Sequence, residues 1–68
     1  MDNKQWINTE QLKRLLGIKS DQTIAKIQKE IYTMGLDIRW IAKNIETTED
    51  AALEYSKRKT AQKFGELQ

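Results

Sequence analysis

The sequence predicts a mainly α-helical domain with a small β-hairpin. Ile24, Ile27, Ile31 and Met34 recur at steps of three, four and three, the period of one buried helix face. A shorter apolar set, Leu12, Leu15 and Leu16, stands just before it and is closed by Gly17. From Leu36 the pattern changes to alternation, with Leu36, Ile38 and Trp40 separated by Asp37 and Arg39, which is a strand with one buried face.

The first helix is expected over about Thr9 to Leu16. Asn8 is its N-cap and Gln11 its third residue, so each side chain can satisfy the other's orphan backbone donor. Ile7 and Leu12 then stand at the two ends of a hydrophobic staple. Leu12, Leu15 and Leu16 point inward, while Glu10, Lys13 and Arg14 point outward. Positive charge suits this helix C-terminus, and either basic side chain is also placed for a backbone phosphate. The second helix is expected over about Asp21 to Met34, capped by Ser20 or Asp21 and ended by Gly35. A short helix, a turn and a longer helix with polar residues at its start is the pattern of a helix-turn-helix.

Leu36 to Ile45 reads two ways, because Ile38, Ile41 and Ile45 also fit a helix period. The β-branched residues, the preceding Gly35 and the turn-forming Asn44 favour a hairpin. Its strands are expected at about Leu36 to Ile41 and Ile45 to Thr47, with a turn at Ala42 to Asn44. Thr47 or Thr48 caps a third helix, with Glu49 and Asp50 in its first turn and Lys57, Arg58 and Lys59 late. Leu53 is its expected core anchor, helped by Ala52 or Tyr55. Trp6 is expected to cover one end of the core, and Tyr32 to stand at the core edge in preference to donating to a phosphate. Met1 to Gln5 is polar and expected to fray. Beyond Ser56 only Ala61 and Phe64 are apolar before Gly65, which leaves a solvated helix, a dimer contact through Phe64 or a basic tail as readings.

Sixty-eight residues make a single domain over 1–68, with a core at about 6–56 and a basic C-terminal extension at 57–68. A chain this short buries only about 60% of its unfolded surface. It has no cysteine and no histidine, which excludes disulfides and Cys/His metal sites. Its longest apolar run falls far short of the roughly 20 residues that cross a bilayer, and its start does not resemble a signal peptide. A soluble, cytoplasmic protein without membrane, metal or cofactor is expected. Net charge is only +2, unevenly spread. Residues 1–35 carry six basic and four acidic side chains, 36–55 two and five, and 56–68 four and one. Basic ends flank an acidic middle, which suits a modest phosphate-facing surface.

With the isoleucines inward, Gln22, Lys26, Lys29 and Thr33 share the outer side of the second helix. Gln22, Thr23 and Lys26 can hydrogen-bond base edges or phosphates, and Ala25 is small enough for close approach. A solvated helix face would carry the same residue types. Arg39 and Lys43 are the only basic residues between Gly35 and Ser56, and a projecting hairpin could bring them to phosphates, unless Asp37 and Glu46 pair with them. The candidate DNA-contacting set is therefore Ser20, Gln22, Thr23, Lys26, Lys29, Arg39 and Lys43. Catalysis is not expected. Ser20 and Ser56 have no evident activating base, helix capping explains the acidic residues, and the glycines are isolated.

Leu12…Leu15-Leu16-Gly17-Ile18, Thr23-Ile24…Ile27, Gly35-Leu36…Arg39-Trp40-Ile41 and Ile45…Glu49-Asp50…Leu53-Glu54-Tyr55 resemble the winged-helix proteins of the MerR and excisionase type. Such excisionases come from phages and integrative elements. The resemblance covers about Trp6 to Ser56. It departs at Lys13, where the family often has a small residue, in a longer segment between Ile18 and Thr23, and in a second helix about one turn longer. It implies a helix-turn-helix plus wing that binds double-stranded DNA sequence-specifically, the second helix in the major groove and the wing beside phosphates or minor groove. An excisionase would bind repeated sites as a cooperative array and bend DNA for an integrase or recombinase. A transcriptional regulator would sit at an operator, usually as a homodimer. A second class is a protein-interaction module, a small phage or plasmid inhibitor or adaptor of a host protein. It would expose an apolar patch, with Trp6, Trp40 and Phe64 together.

Overall fold

The capping residues start and stop the first two helices. Asn8 Oδ1 accepts the Gln11 N–H at 2.8 Å, and Gln11 Oε1 accepts the Asn8 N–H at 2.9 Å. This reciprocal pair opens α1, Thr9–Leu16. Gly17 closes it in the left-handed region at φ 70°, and the Ile18 N–H donates to the Lys13 carbonyl at 2.8 Å. Ser20 Oγ accepts the Thr23 N–H at 3.3 Å and opens α2, Asp21–Thr33. Gly35, at φ 76°, ends that segment in the same way, with the Leu36 N–H on the Ile31 carbonyl at 3.1 Å.

The structure, a computed structural model, describes residues 4–66. Three helices and a three-stranded antiparallel sheet follow in the order β1 (Trp6–Ile7), α1, α2, β2 (Ile38–Ile41), β3 (Asn44–Thr48) and α3 (Glu49–Glu66). The expected polar start lies partly outside the described residues, at 1–3. The β2–β3 hairpin has Ile38 opposite Thr47, Arg39 opposite Glu46, Trp40 opposite Ile45 and Ile41 opposite Asn44. Its turn is therefore the pair Ala42-Lys43, one residue shorter than expected. Ala42 adopts φ 54°, a conformation that glycine more readily supplies. β1 pairs with the far edge of β3, Trp6 opposite Thr48 and Ile7 opposite Thr47, so β3 is central. The sequence reading had no strand here, since two residues show no alternation. Among the described residues no helix is long and apolar enough to cross a membrane.

One small core joins the elements. Leu12, Ile24, Ile27, Ile31, Ala52 and Tyr55 are buried together, ringed by Ile7, Leu16, Ile18, Leu36 and Ile38. Four expected core positions are corrected, the first being Met34, which caps α2 half-buried and is not among the residues of the core cluster. Leu53 is 50% exposed, and Ala52 and Tyr55 anchor α3 instead. These two are three residues apart on one side of the helix, and alanine lets its backbone approach closely; Leu53 is turned by about 100° from Ala52. Leu15 is largely exposed beside Ile7, Gln11, Arg14 and Glu49, because Leu12 and Leu16 alone face the neighbouring helices. Tyr32 stands outside the core altogether.

Polar groups inside this core are bonded. Gln28, buried within the isoleucine arc, donates through Nε2 to Thr9 Oγ1 at 3.0 Å and so ties α2 to α1. Thr47 donates its hydroxyl to the Asp37 carbonyl, and Thr48 Oγ1 caps α3 by accepting the Ala51 N–H at 3.0 Å. Tyr55 donates its hydroxyl to Glu30 Oε2 at 2.9 Å, and Lys59 Nζ lies 3.4 Å from the same oxygen.

Two outcomes test this packing. Ile31→Ala is expected to cost about 2–5 kcal/mol in denaturant unfolding, and Leu53→Ala in dilute solution only about 0.5 kcal/mol. Burial first, and then the bond to Glu30, raise the Tyr55 phenol from 10.0 to about 12. Its raised value contributes stability that is whole below pH 10.0 and is lost as pH rises towards about 12. Thermal melts of the parent are expected to lose stability more steeply across that window than those of Tyr55→Phe.

Candidate nucleic-acid interface

The outer face of α2 follows from its inner one. With Ile24, Ile27, Gln28 and Ile31 buried, a period of about 3.6 residues per turn leaves Gln22, Lys26, Lys29 and Thr33 on the far side. All four are exposed, as is Thr23 at the helix start. Lys26 and Lys29 make no ion pair with any described residue. Ser20, half of the expected polar start, is taken up by the cap, although its hydroxyl proton stays available to a ligand.

The acidic residues of α2 are held away from this face. Asp21 accepts from Lys13 Nζ at 2.7 Å across the α1–α2 turn. That hydrogen bond, more than the charge, lowers the Asp21 carboxyl below its ordinary range and raises the Lys13 ammonium. Lys13 is thereby a structural clamp. Glu30 is drawn to the α3 side, where the bond from Tyr55 is the main cause of its lowered value, with Lys59 and Lys26 adding to it. The remaining charge on the outer face is therefore positive.

The hairpin separates its two candidate residues. Lys43 lies exposed in the turn and makes no ion pair among the described residues. Arg39 is engaged: its Nη2 and Nε lie 2.8 and 2.9 Å from Glu46 Oε1, and its guanidinium stacks 4.0 Å from the centre of the Trp6 ring. Trp6 is thus half-buried under Arg39 rather than a lid on the core. The alternation of β2 turns Arg39 to one face of the sheet, while Ile38 and Trp40 turn to the face that continues from the core.

That apolar face extends past the core and forms a feature the sequence reading missed. A groove of about 450 Å³ runs between α2 and the hairpin, with Ala25, Lys29 and Tyr32 on one side and Ile38, Trp40 and Ile45 on the other. Tyr32 and Trp40 are each 73% exposed. The signal was present in the strand pair, because Trp40 and Ile45 prolong the buried alternation beyond what a core of six residues can cover. Trp6, Trp40 and Phe64 do not form one patch. Phe64 borders a different groove with Leu16, Ile18 and Tyr55.

No family model, curated protein or solved structure matches the chain.

The division between the two hairpin cations is open to measurement. Arg39→Gln is expected to lower stability by about 1 kcal/mol through loss of the ion pair and the aromatic stack. Lys43→Gln is expected to leave the melting temperature unchanged.

Proposed function

We propose that this protein binds double-stranded DNA sequence-specifically in a winged-helix arrangement, with α2 in the major groove and the β2–β3 hairpin as the wing. The observation that carries the reading is the outer face of α2. It presents Gln22, Lys26, Lys29 and Thr33 to solvent, while Asp21 and Glu30 are engaged elsewhere. Glutamine can hydrogen-bond adenine edges, lysine guanine edges and phosphates, and a major groove about 12 Å wide admits a helix. Ser20 and Thr23 stand at the start of that helix, where phosphates meet backbone N–H groups. Lys43 at the hairpin turn supplies a further phosphate contact. Arg39 supports the wing from behind through Glu46 and Trp6.

The biological role that fits is non-catalytic. The protein acts as an excisionase-like recombination directionality factor, beside an integrase or recombinase, or as a small transcriptional regulator of a phage or mobile element. The groove between α2 and the hairpin favours one second reading, a protein-interaction module that holds an apolar segment of a partner there. The two separate cleanly, because Trp40→Ala would abolish partner binding in the second reading and spare the α2 face in the first.

Titration against duplexes from the protein's own genetic neighbourhood, at several salt concentrations, tests the reading. Lys26→Ala and Gln22→Ala are each expected to cost about 1–3 kcal/mol on the specific site. Lys43→Gln is expected to weaken all duplexes alike and flatten the plot of log affinity against log salt by about 0.9. Binding indistinguishable from the parent in all three would exclude α2 and the wing as the contact surface.

A further inference from the structure

The sheet order β1-β3-β2 leaves the outer side of β2 without a neighbouring strand among the described residues. Which backbone groups face that side follows from the register. On the β1 side of β3 the Glu49 N–H donates to the Gln5 carbonyl at 3.4 Å, so alternation points Thr47 the same way and Glu46 towards β2. Arg39, opposite Glu46, therefore directs its N–H and C=O to β3. The turn agrees, since Ala42-Lys43 is closed by the pair Ile41 and Asn44, which points inward like Arg39. Ile38 and Trp40 direct their backbone groups outward, and no described residue hydrogen-bonds to them there.

Native sheets blunt such an edge with proline, a bulge or a covering helix. β2 is Ile-Arg-Trp-Ile, in unbroken register with β3, and its last three residues are exposed. Its edge opens onto the groove of about 450 Å³ beside α2. Ile38, Arg39 and Trp40 all border that groove, although alternation sends the Arg39 side chain to the other face. The groove thus takes in the edge of the strand as well as its face. Tyr32 and Trp40 wall it with largely exposed rings, and Lys29 stands at its rim without an ion pair among the described residues.

We propose that β2 accepts an extended, acidic peptide segment of a partner protein as a fourth strand, with two apolar side chains in the groove and a carboxylate between them. Strand addition takes its affinity from main-chain hydrogen bonds and its specificity from pockets for alternate side chains. Segment residues opposite Ile38 and Trp40 turn to the groove, and the residue between them turns to the face of Arg39. Glu46 engages Nε and Nη2 of that guanidinium, which leaves Nη1 for a second carboxylate. Lys29 adds positive charge on the groove side. The inference rests on the partner-holding groove of the second reading above, whose occupant it names, and it requires no DNA.

Short random peptides displayed on phage and panned on the whole chain test it, counting only those whose binding Trp40→Ala removes. Trp40 is 73% exposed, so that variant keeps the core. Enrichment of apolar–acidic–apolar alternation is expected. Synthetic copies N-methylated one residue at a time are expected to weaken by about tenfold or more at alternate positions and little between them. On binding, amide hydrogen exchange is expected to slow at Ile38 and Trp40 and to stay unchanged at Arg39, which is already bonded to β3. Enriched sequences of helical period, or N-methylation tolerated at every position, would overturn strand addition while leaving the groove a docking site of another kind. No enrichment over Trp40→Ala would overturn the partner-holding groove and strand addition together.

Discussion

Along one seam, Ile24, Ile27 and Ile31 of α2 meet Leu12 of α1 and Ala52 and Tyr55 of α3, and nearly all the buried apolar surface of this short chain is gathered there. Among the described residues no second buried apolar cluster stands behind it. The seam also fixes direction. Once three isoleucines at helical spacing are turned inward, the opposite side of α2 must present Gln22, Lys26, Lys29 and Thr33. The residues that stabilise the fold therefore determine which side chains a ligand can meet. Ala52 contributes by its small size, because it lets α3 lie close to the isoleucines.

Polar contacts refine that orientation. Gln28 to Thr9, Lys13 to Asp21, and Tyr55 with Lys59 to Glu30 tie α2 to its neighbours at its middle, start and far half. Ion pairs at such exposure add little stability. Their larger effect is to hold the carboxylates of α2 towards α1 and α3, so that its solvent-facing side carries lysines and a glutamine. The same logic acts on the sheet, where Glu46 and Trp6 hold Arg39, and Lys43 stands exposed at the turn with no ion pair among the described residues.

Local signals in the sequence were strong where a single residue decides the backbone. Asn8 with Gln11, Gly17 and Gly35, together with Ser20 or Asp21 and Thr47 or Thr48, placed both ends of two helices and the start of a third, and the structure chooses Ser20 and Thr48 as the caps. The isoleucine period identified the buried face of α2, and with it the exposed position of every candidate residue on that helix. What the sequence did not show depended on neighbours. β1 is two residues long and exists only because β3 offers a free edge. Leu53 looked like an anchor by size, but the close approach of α3 favoured alanine at the buried position. For Arg39 the pairing with Glu46 was already open in the sequence, whereas the stack on Trp6, distant in sequence and brought to it only through the sheet, was not.

The measurement that bears most directly on α2 as the reader is an amide NMR titration of the protein with a specific duplex at moderate salt. Shifts are expected to concentrate at residues 20–33 on the outer face of α2 and at Ala42 and Lys43, with the amides of Ile7, Leu12 and Ala52 barely moved. Shifts confined to Tyr32, Trp40 and Ile45, or to the outer half of α3, would contradict it and place any ligand in the groove or on the arm.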